Sequence, residues 1–140
     1  MKLNNYKRIA VDTNIFVYHL TSRSPLHLKA VKLFETVVKE KINLITSNIT
    51  IIEILSYDAP EDQIKLLEKE FFQIPNVKIM EVNNDIAIEA ARLRRSNNLS
   101  LPDAIQLATA LYAKTKVFIT NDERLKKFKE IKVILLKELN

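Results

Sequence analysis

Two spacings of apolar residues alternate along the chain. Short runs rich in β-branched side chains, Ile9-Ala10-Val11, Leu44-Ile45-Thr46, Val77 to Val82, Val117-Phe118-Ile119 and Val133-Ile134-Leu135-Leu136, have the length of strands. Between them apolar residues recur at helical spacing: Leu26, Ala30, Leu33 and Val37, then Ile86, Ala90 and Leu93, then Ile105, Ala108 and Leu111 or Tyr112. Helices are therefore predicted from Thr13 to about Leu20, from Pro25 to about Lys39, over the segment ending at Leu55, from Pro60 to about Phe72, from Asn84 to about Arg95, from Ser100 onward, and briefly from Asn121 to Lys127. Ser24 is the expected cap of the second helix, with Pro25 at its first position, where a missing N–H costs nothing. Strands alternating with helices predict an α/β fold: a three-layer α/β/α sandwich around a mostly parallel five-stranded sheet with right-handed crossovers. Residues 1–140 form one domain in this reading, without repeat or linker.

The stretch Lys7 to Tyr18 has the sharpest punctuation. Ile9-Ala10-Val11 suits a central strand buried on both faces, Asp12-Thr13-Asn14 interrupts it, and Ile15-Phe16-Val17 resumes at a different spacing. Asp12 can cap the helix that begins there. A carboxylate is thus placed where a buried strand ends.

Composition narrows the chemistry. A chain of 140 residues, 47% hydrophobic, suffices for one substantial core. Without cysteine there is no disulfide, thiolate nucleophile or Cys-bearing zinc site, and two histidines, His19 and His27, cannot build an all-nitrogen metal site. Any metal must be held mainly by oxygen. The absence of glycine excludes the phosphate-cradling P-loop and the dinucleotide fingerprint. Left-handed turn positions are then expected at asparagines, with Asn83-Asn84 and Asn97-Asn98 as candidates. No apolar stretch reaches the roughly 18 residues of a membrane span, and the N-terminus lacks a signal-peptide core, so a cytoplasmic protein with no membrane partner is expected. The net charge of +5 leans toward a polyanionic partner.

In a parallel sheet the carboxyl ends of the strands share one edge, and ligands bind in the crevice outside it. Asp12, Glu53 and Asp122 fall there by topology, and Asp103 joins them by inference, because its helix follows another helix. Helix capping is the competing explanation, since Ser100-x-x-Asp103 and Thr50-x-x-Glu53 have capping-box spacing. Glu53 tips the balance: it is the sole charge between Ile49 and Leu55, where an unpaired carboxylate would be costly to bury. Two carboxylates about 4 Å apart at an effective dielectric near 20 repel by roughly 4 kcal/mol, so a convergent cluster requires a cation. Oxygen ligation suits Mg²⁺ or Mn²⁺, which can polarise a phosphoryl oxygen and activate water.

Val11-Asp12-Thr13-Asn14-Ile15-Phe16, Thr50-Ile51-Ile52-Glu53, Leu101-Pro102-Asp103-Ala104-Ile105-Gln106-Leu107-Ala108-Thr109-Ala110 and Thr120-Asn121-Asp122 resemble the four signature segments of the PIN-domain nucleases, in the family's order and spacing. The resemblance covers essentially the whole chain and is strongest to the VapC-type toxins of toxin–antitoxin pairs. It implies a PIN-like fold in which Asp12, Glu53, Asp103 and Asp122 form an acidic pocket for Mg²⁺ or Mn²⁺. Asp12 and Asp103 would be direct ligands, with Glu53 and Asp122 acting directly or through water. Thr13, Asn14, Thr120 and Asn121 would orient carboxylates or bound waters by hydrogen bonds, local turn and cap bonding being the alternative for them. The implied activity is endonucleolytic cleavage of RNA by a metal-activated water. The implied partners are an antitoxin, whose helical segment binds near the pocket and Phe71-Phe72, and a second copy in a homodimer. A housekeeping RNA-maturation nuclease and a non-catalytic scaffold that binds RNA or protein remain open. An aspartyl phosphotransferase is disfavoured, because Asn14 stands where a second Asp is needed.

Other charged residues matter less. Glu81 and Asp85 read as a solvated strand end and a helix-start acid, and His19 as a cation favoured by the end of its helix. Arg92, Arg94, Arg95, Lys114, Lys116, Lys126, Lys127 and Lys129 could line a rim for RNA phosphates, or simply form solvated helix faces.

Overall fold

The computed structural model describes residues 2–139. Its strands are β1 (Arg8–Val11), β2 (Asn43–Ser47), β3 (Val77–Met80), β4 (Val117–Thr120) and β5 (Lys132–Leu135). Its α-helices are α1 (Thr13–Leu20), α2 (His27–Lys39), α3 (Ile49–Leu55), α4 (Glu61–Phe72), α5 (Asn84–Ser96) and α6 (Leu101–Tyr112). The five strands form one sheet in the order β3-β2-β1-β4-β5, and every pairing is parallel. Strand order reverses at β1, which pairs with β2 on one side and β4 on the other. A crevice therefore opens outside the carboxyl ends of β1 and β4.

The sheet is buried on both faces because its strands alternate what they present. Ile9, Val11, Val117 and Ile119 pack with Phe16, Leu33, Phe34 and Phe71 on the side of α1, α2 and α4. Ala10, Ile45, Phe118 and Val133 pack with Ile86, Leu93, Ala104 and Ala108 on the side of α5 and α6. Phe16 anchors the first layer, its ring centroid 5.6 Å from Phe34 and 5.3 Å from Phe71. Phe71 is thus core, whereas Phe72 is 55% exposed. The alanines of α6 let that helix lie close against the sheet. No described helix is long and apolar enough to cross a membrane.

Several local expectations are corrected. Helix α2 starts at His27: Ser24 and Pro25 form a preceding turn, in which the Ser24 hydroxyl accepts from the Leu26 N–H at 3.0 Å. The predicted helix at 121–127 is a 3-10 helix over Glu123–Lys127. Left-handed backbone occurs at Lys41, Asn76 and Lys114, not at Asn83-Asn84 or Asn97-Asn98. Asn83 instead caps α5 in an extended conformation, its side-chain oxygen accepting from the Ile86 N–H, and Asn97 is extended at φ −139°. With no glycine available, lysines follow α2 and α6 into the left-handed region.

Candidate active site

Asp12 stands one residue beyond β1, at the crevice. Its N–H continues the ladder to the Ile119 carbonyl at 2.9 Å, which carries the residue to the carboxyl edge and only 7% exposure. One carboxylate oxygen accepts from the Thr13 N–H at 2.8 Å and the other from the Thr120 hydroxyl at 2.7 Å. Asp12 therefore does cap α1, but capping does not explain its electrostatics. Burial, opposed by the Thr120 bond and reinforced by the charges of Asp103 and Glu53, pushes its pKa up to about 6. Removing water from a carboxylate that two other acids face leaves the ionised form in want of a positive partner.

Glu53 corrects the sequence-based premise. It is exposed, as is Ile52, because the turn of α3 directs Thr50 and Ile54 inward. Its carboxylate is nevertheless anchored to the interior, since Oε1 accepts from the Thr13 hydroxyl at 2.7 Å. Thr50, with capping-box spacing to Glu53, is no cap; it is buried within α3 and bonded at 3.0 Å to Thr13 and at 2.7 Å to Thr46. The Gln106 amide nitrogen donates to Thr13 at 3.0 Å and to Thr50 at 2.7 Å, and its oxygen accepts from Ser47 at 2.8 Å. Because a carboxylate only accepts, the proton directions follow: Thr13 donates to Glu53, Thr50 to Thr13, and Thr46 to Thr50. A buried polar network spanning β2, α1, α3 and α6 thus terminates on one surface carboxylate.

The other two acids sit on either side of β4. Asp103 is half-buried in the first turn of α6, where Ser100 caps the helix by accepting from the Asp103 N–H at 3.3 Å. The Asp122 N–H donates to Thr120 at 3.1 Å, and its carboxylate is gripped by Arg124, Nε to Oδ1 at 3.0 Å and Nη2 to Oδ2 at 2.6 Å. The Arg124 guanidinium holds the Asp122 carboxyl below the usual range. Asp12, Glu53 and Asp103 thus share one electrostatic neighbourhood, while Asp122 is turned toward Arg124. Among the described residues, no three His, Asp or Glu side chains are assembled closely enough to hold a metal ion.

The supporting residues divide similarly. Thr120 holds Asp12 and accepts from Asn14 Nδ2 at 3.4 Å, and Asn121 Nδ2 donates to the Tyr18 hydroxyl at 3.3 Å. The amide oxygens of both Asn14 and Asn121 are buried without a hydrogen-bond donor. Unused acceptors beside an all-oxygen, mutually repelling donor set fit a hydrated hard cation, whose waters are donors. The residues present therefore suit Mg²⁺ or Mn²⁺.

Gln106 and Arg124 had no role assigned from sequence. Gln106 carried a signal, as the one long polar side chain among Ala104 to Ala110, and Arg124 follows Asp122 by two residues. His19 differs from expectation: it stacks on Phe34 at 4.1 Å, and burial lowers its pKa, favouring a neutral ring over a helix-end cation. Arg92 is spent on Glu89 and Glu130, and Lys126 on Glu138, so neither is a free member of a phosphate rim.

The PIN domain profile matches residues 9–131. No curated protein matches the sequence. Among solved structures, VapBC2 from Rickettsia felis, bound to a promoter DNA fragment, contains a chain similar at TM-score 0.74 and 15% identity, covering 91% of this chain and 98% of that one. A toxin–antitoxin complex from Klebsiella pneumoniae gives TM-score 0.68 at 26% identity, covering 91% and 97%. VapC20 from Mycobacterium tuberculosis, a toxin that cleaves the sarcin–ricin loop, gives 0.65 at 16%, covering 88% and 98%. The fold they share is the sheet and helix order described above, and with the profile extending from β1 to the residue before β5, the chain belongs to the PIN-domain family.

Proposed function

We propose that this protein is a metal-dependent endoribonuclease that hydrolyses RNA phosphodiester bonds, and that it is the toxin of a toxin–antitoxin pair. The observation that carries the proposal is Asp12, a buried carboxylate raised to about 6 by burial and by facing Asp103 and Glu53. Asp12 and Asp103 would hold Mg²⁺ or Mn²⁺, with Glu53 and Asp122 completing the set directly or through water. When bound, such an ion polarises a phosphoryl oxygen and makes water nucleophilic at neutral pH. Thr120 and the Thr13 N–H fix the orientation of the Asp12 carboxylate, and Thr13, backed by Thr50 and Gln106, fixes Glu53. Asn14 and Asn121 offer acceptors to bound water. No covalent residue is required.

Purified protein is expected to cleave RNA with Mg²⁺ or Mn²⁺, and to lose that activity with chelator or on Asp12→Asn. Undiminished cleavage by the variant would sink the assignment.

The toxin reading carries an antitoxin partner. A groove of ≈ 720 Å³ between α1, α3 and α4 is lined by Val17, Leu20, Tyr57 and Leu66, with Glu53 also on its wall. Val17, Tyr57 and Leu66 are 39%, 61% and 55% exposed, suited to the apolar face of an amphipathic helix. The similarity to chains of toxin–antitoxin complexes supports the same reading. A short adjacent reading frame for a small DNA-binding protein is the expected genomic companion, and its absence would favour a housekeeping nuclease. The proposed homodimer is checked by sedimentation.

A further inference from the structure

We propose that the segment Glu123–Lys132 and the adjacent Lys116 carry a cationic track along which single-stranded RNA leaves the acidic site, its backbone phosphates held by Lys127 nearby and by Lys116, Lys129 and Lys132 farther out. The inference rests on the reading of RNA as substrate. Two depressions lie side by side on this surface and share Phe128 as a wall. The nearer, of ≈ 260 Å³, includes Asp103, Lys127 and the Arg124 that grips Asp122, so it opens at the Asp103 side of the acidic site. The farther, of ≈ 610 Å³, includes Lys116, Lys129 and Lys132. Lys116 and Lys132 are neighbours across the start of β4 and β5, where the Lys132 N–H donates to the Lys116 carbonyl at 3.3 Å.

The charge balance of this surface is one-sided. Apart from Asp103, which belongs to the acidic site, its carboxylates are already paired: Asp122 with Arg124 at 2.6 Å, Glu123 with Lys137, Glu130 with Arg92 at 2.7 Å, and Glu138 with Lys126 at 3.1 Å. Lys116, Lys127, Lys129 and Lys132 are exposed and form no ion pair among the described residues. Positive charge left uncompensated beside an acidic pocket offsets the repulsion that pocket exerts on a polyanion. Lysine ammoniums are point charges without a bidentate fork, and Phe128 is only 4% exposed, so the track offers neither base reading nor a stacking platform. It should therefore position the strand through phosphates, independent of sequence.

The test measures binding of a labelled single-stranded RNA, long enough to span both depressions, to the full chain carrying Asp12→Asn. Adding K116A/K129A/K132A is expected to weaken binding about 100-fold at 0.1 M salt and to flatten the log–log salt dependence by about 2. The charge-matched set K39A/K65A/K69A should leave that slope nearly unchanged. An unaltered slope in the first set, or an equal loss in the second, overturns the track. If the triple variant does not fold, Lys129→Glu alone must still weaken binding and flatten the slope. With Asp12 restored, the track variant should cut an oligonucleotide confined to the acidic site as the unmodified chain does, while losing kcat/KM on the long RNA; equal kcat/KM on the long RNA also overturns the track. Failure of the unmodified chain to cut either RNA refutes the nuclease reading instead, and the binding arm still decides the track.

Discussion

Replacing Asp12 by asparagine should stabilise the metal-free protein while abolishing activity. The Asp12 carboxyl titrates at about 6 rather than at its ordinary 3.8, because burial and then the charges of Asp103 and Glu53 outweigh the bonds from Thr120 and Thr13. A folded-state pKa above the unfolded value means that the native state binds the proton more tightly and that ionisation opposes folding. The penalty is absent below about 3.8, grows between 3.8 and about 6, and is complete above 6. At about 1.4 kcal/mol per pH unit it reaches about 3 kcal/mol at neutral pH. Asparagine keeps the shape and can still accept from the Thr13 N–H, but its amide group requires Thr120 to accept rather than donate, so a net gain of about 1–3 kcal/mol is expected. Asparagine and aspartate are nearly equal helix caps, so a purely capping Asp12 predicts no gain. Urea unfolding of both proteins with chelator, at pH 7.5 and pH 4, measures the difference directly. A variant no more stable at pH 7.5, or an advantage that persists at pH 4, refutes the reasoning.

Gln106→Leu should cost about 2–4 kcal/mol in urea unfolding, because the buried Ser47 hydroxyl loses its acceptor and Thr13 and Thr50 each lose a donor. The same change should lower cleavage activity by loosening Thr13 against Glu53. Arg124→Ala should return the Asp122 pKa upward, followed by carboxyl-carbon NMR titration. Since pairing depresses that pKa, the stability it contributes is present above the unfolded value and lost as pH falls through the folded one, and the variant should lack this dependence. Lys41→Gly should stabilise by roughly 0.5–1 kcal/mol, because a lysine at φ 56° bears a side-chain clash that glycine avoids; thermal unfolding checks it.

Much of the fold was legible because its signals are local and repeated. The run Ile9-Ala10-Val11 is buried on both faces, Ser100 caps α6, and the stripe Ala30, Leu33 and Val37 is interior. Less legible were features set by tertiary position. Glu53 lies among apolar neighbours, yet one helical turn places Thr50 and Ile54 inward and leaves Glu53 outside, so sequence proximity misstated its burial while its role as an anchored acid rested on Thr13. The turns after α2 and α6 require left-handed backbone, and in a chain without glycine the choice of Lys41 and Lys114 carries no compositional mark. Pairing of Asp122 with Arg124 depends on the 3-10 turn after β4, which periodicity does not resolve.

In the proposed function Asp12, Asp103 and their neighbours hold a divalent cation. Calorimetric titration of the full chain with Mn²⁺, beside the Asp103→Asn variant, tests it most directly. Saturable binding by millimolar Mn²⁺ at pH 7.5 is expected, weakening as pH falls below about 6, where Asp12 takes up a proton, and lost in the variant. Absence of binding, or equal binding by both proteins, would contradict it.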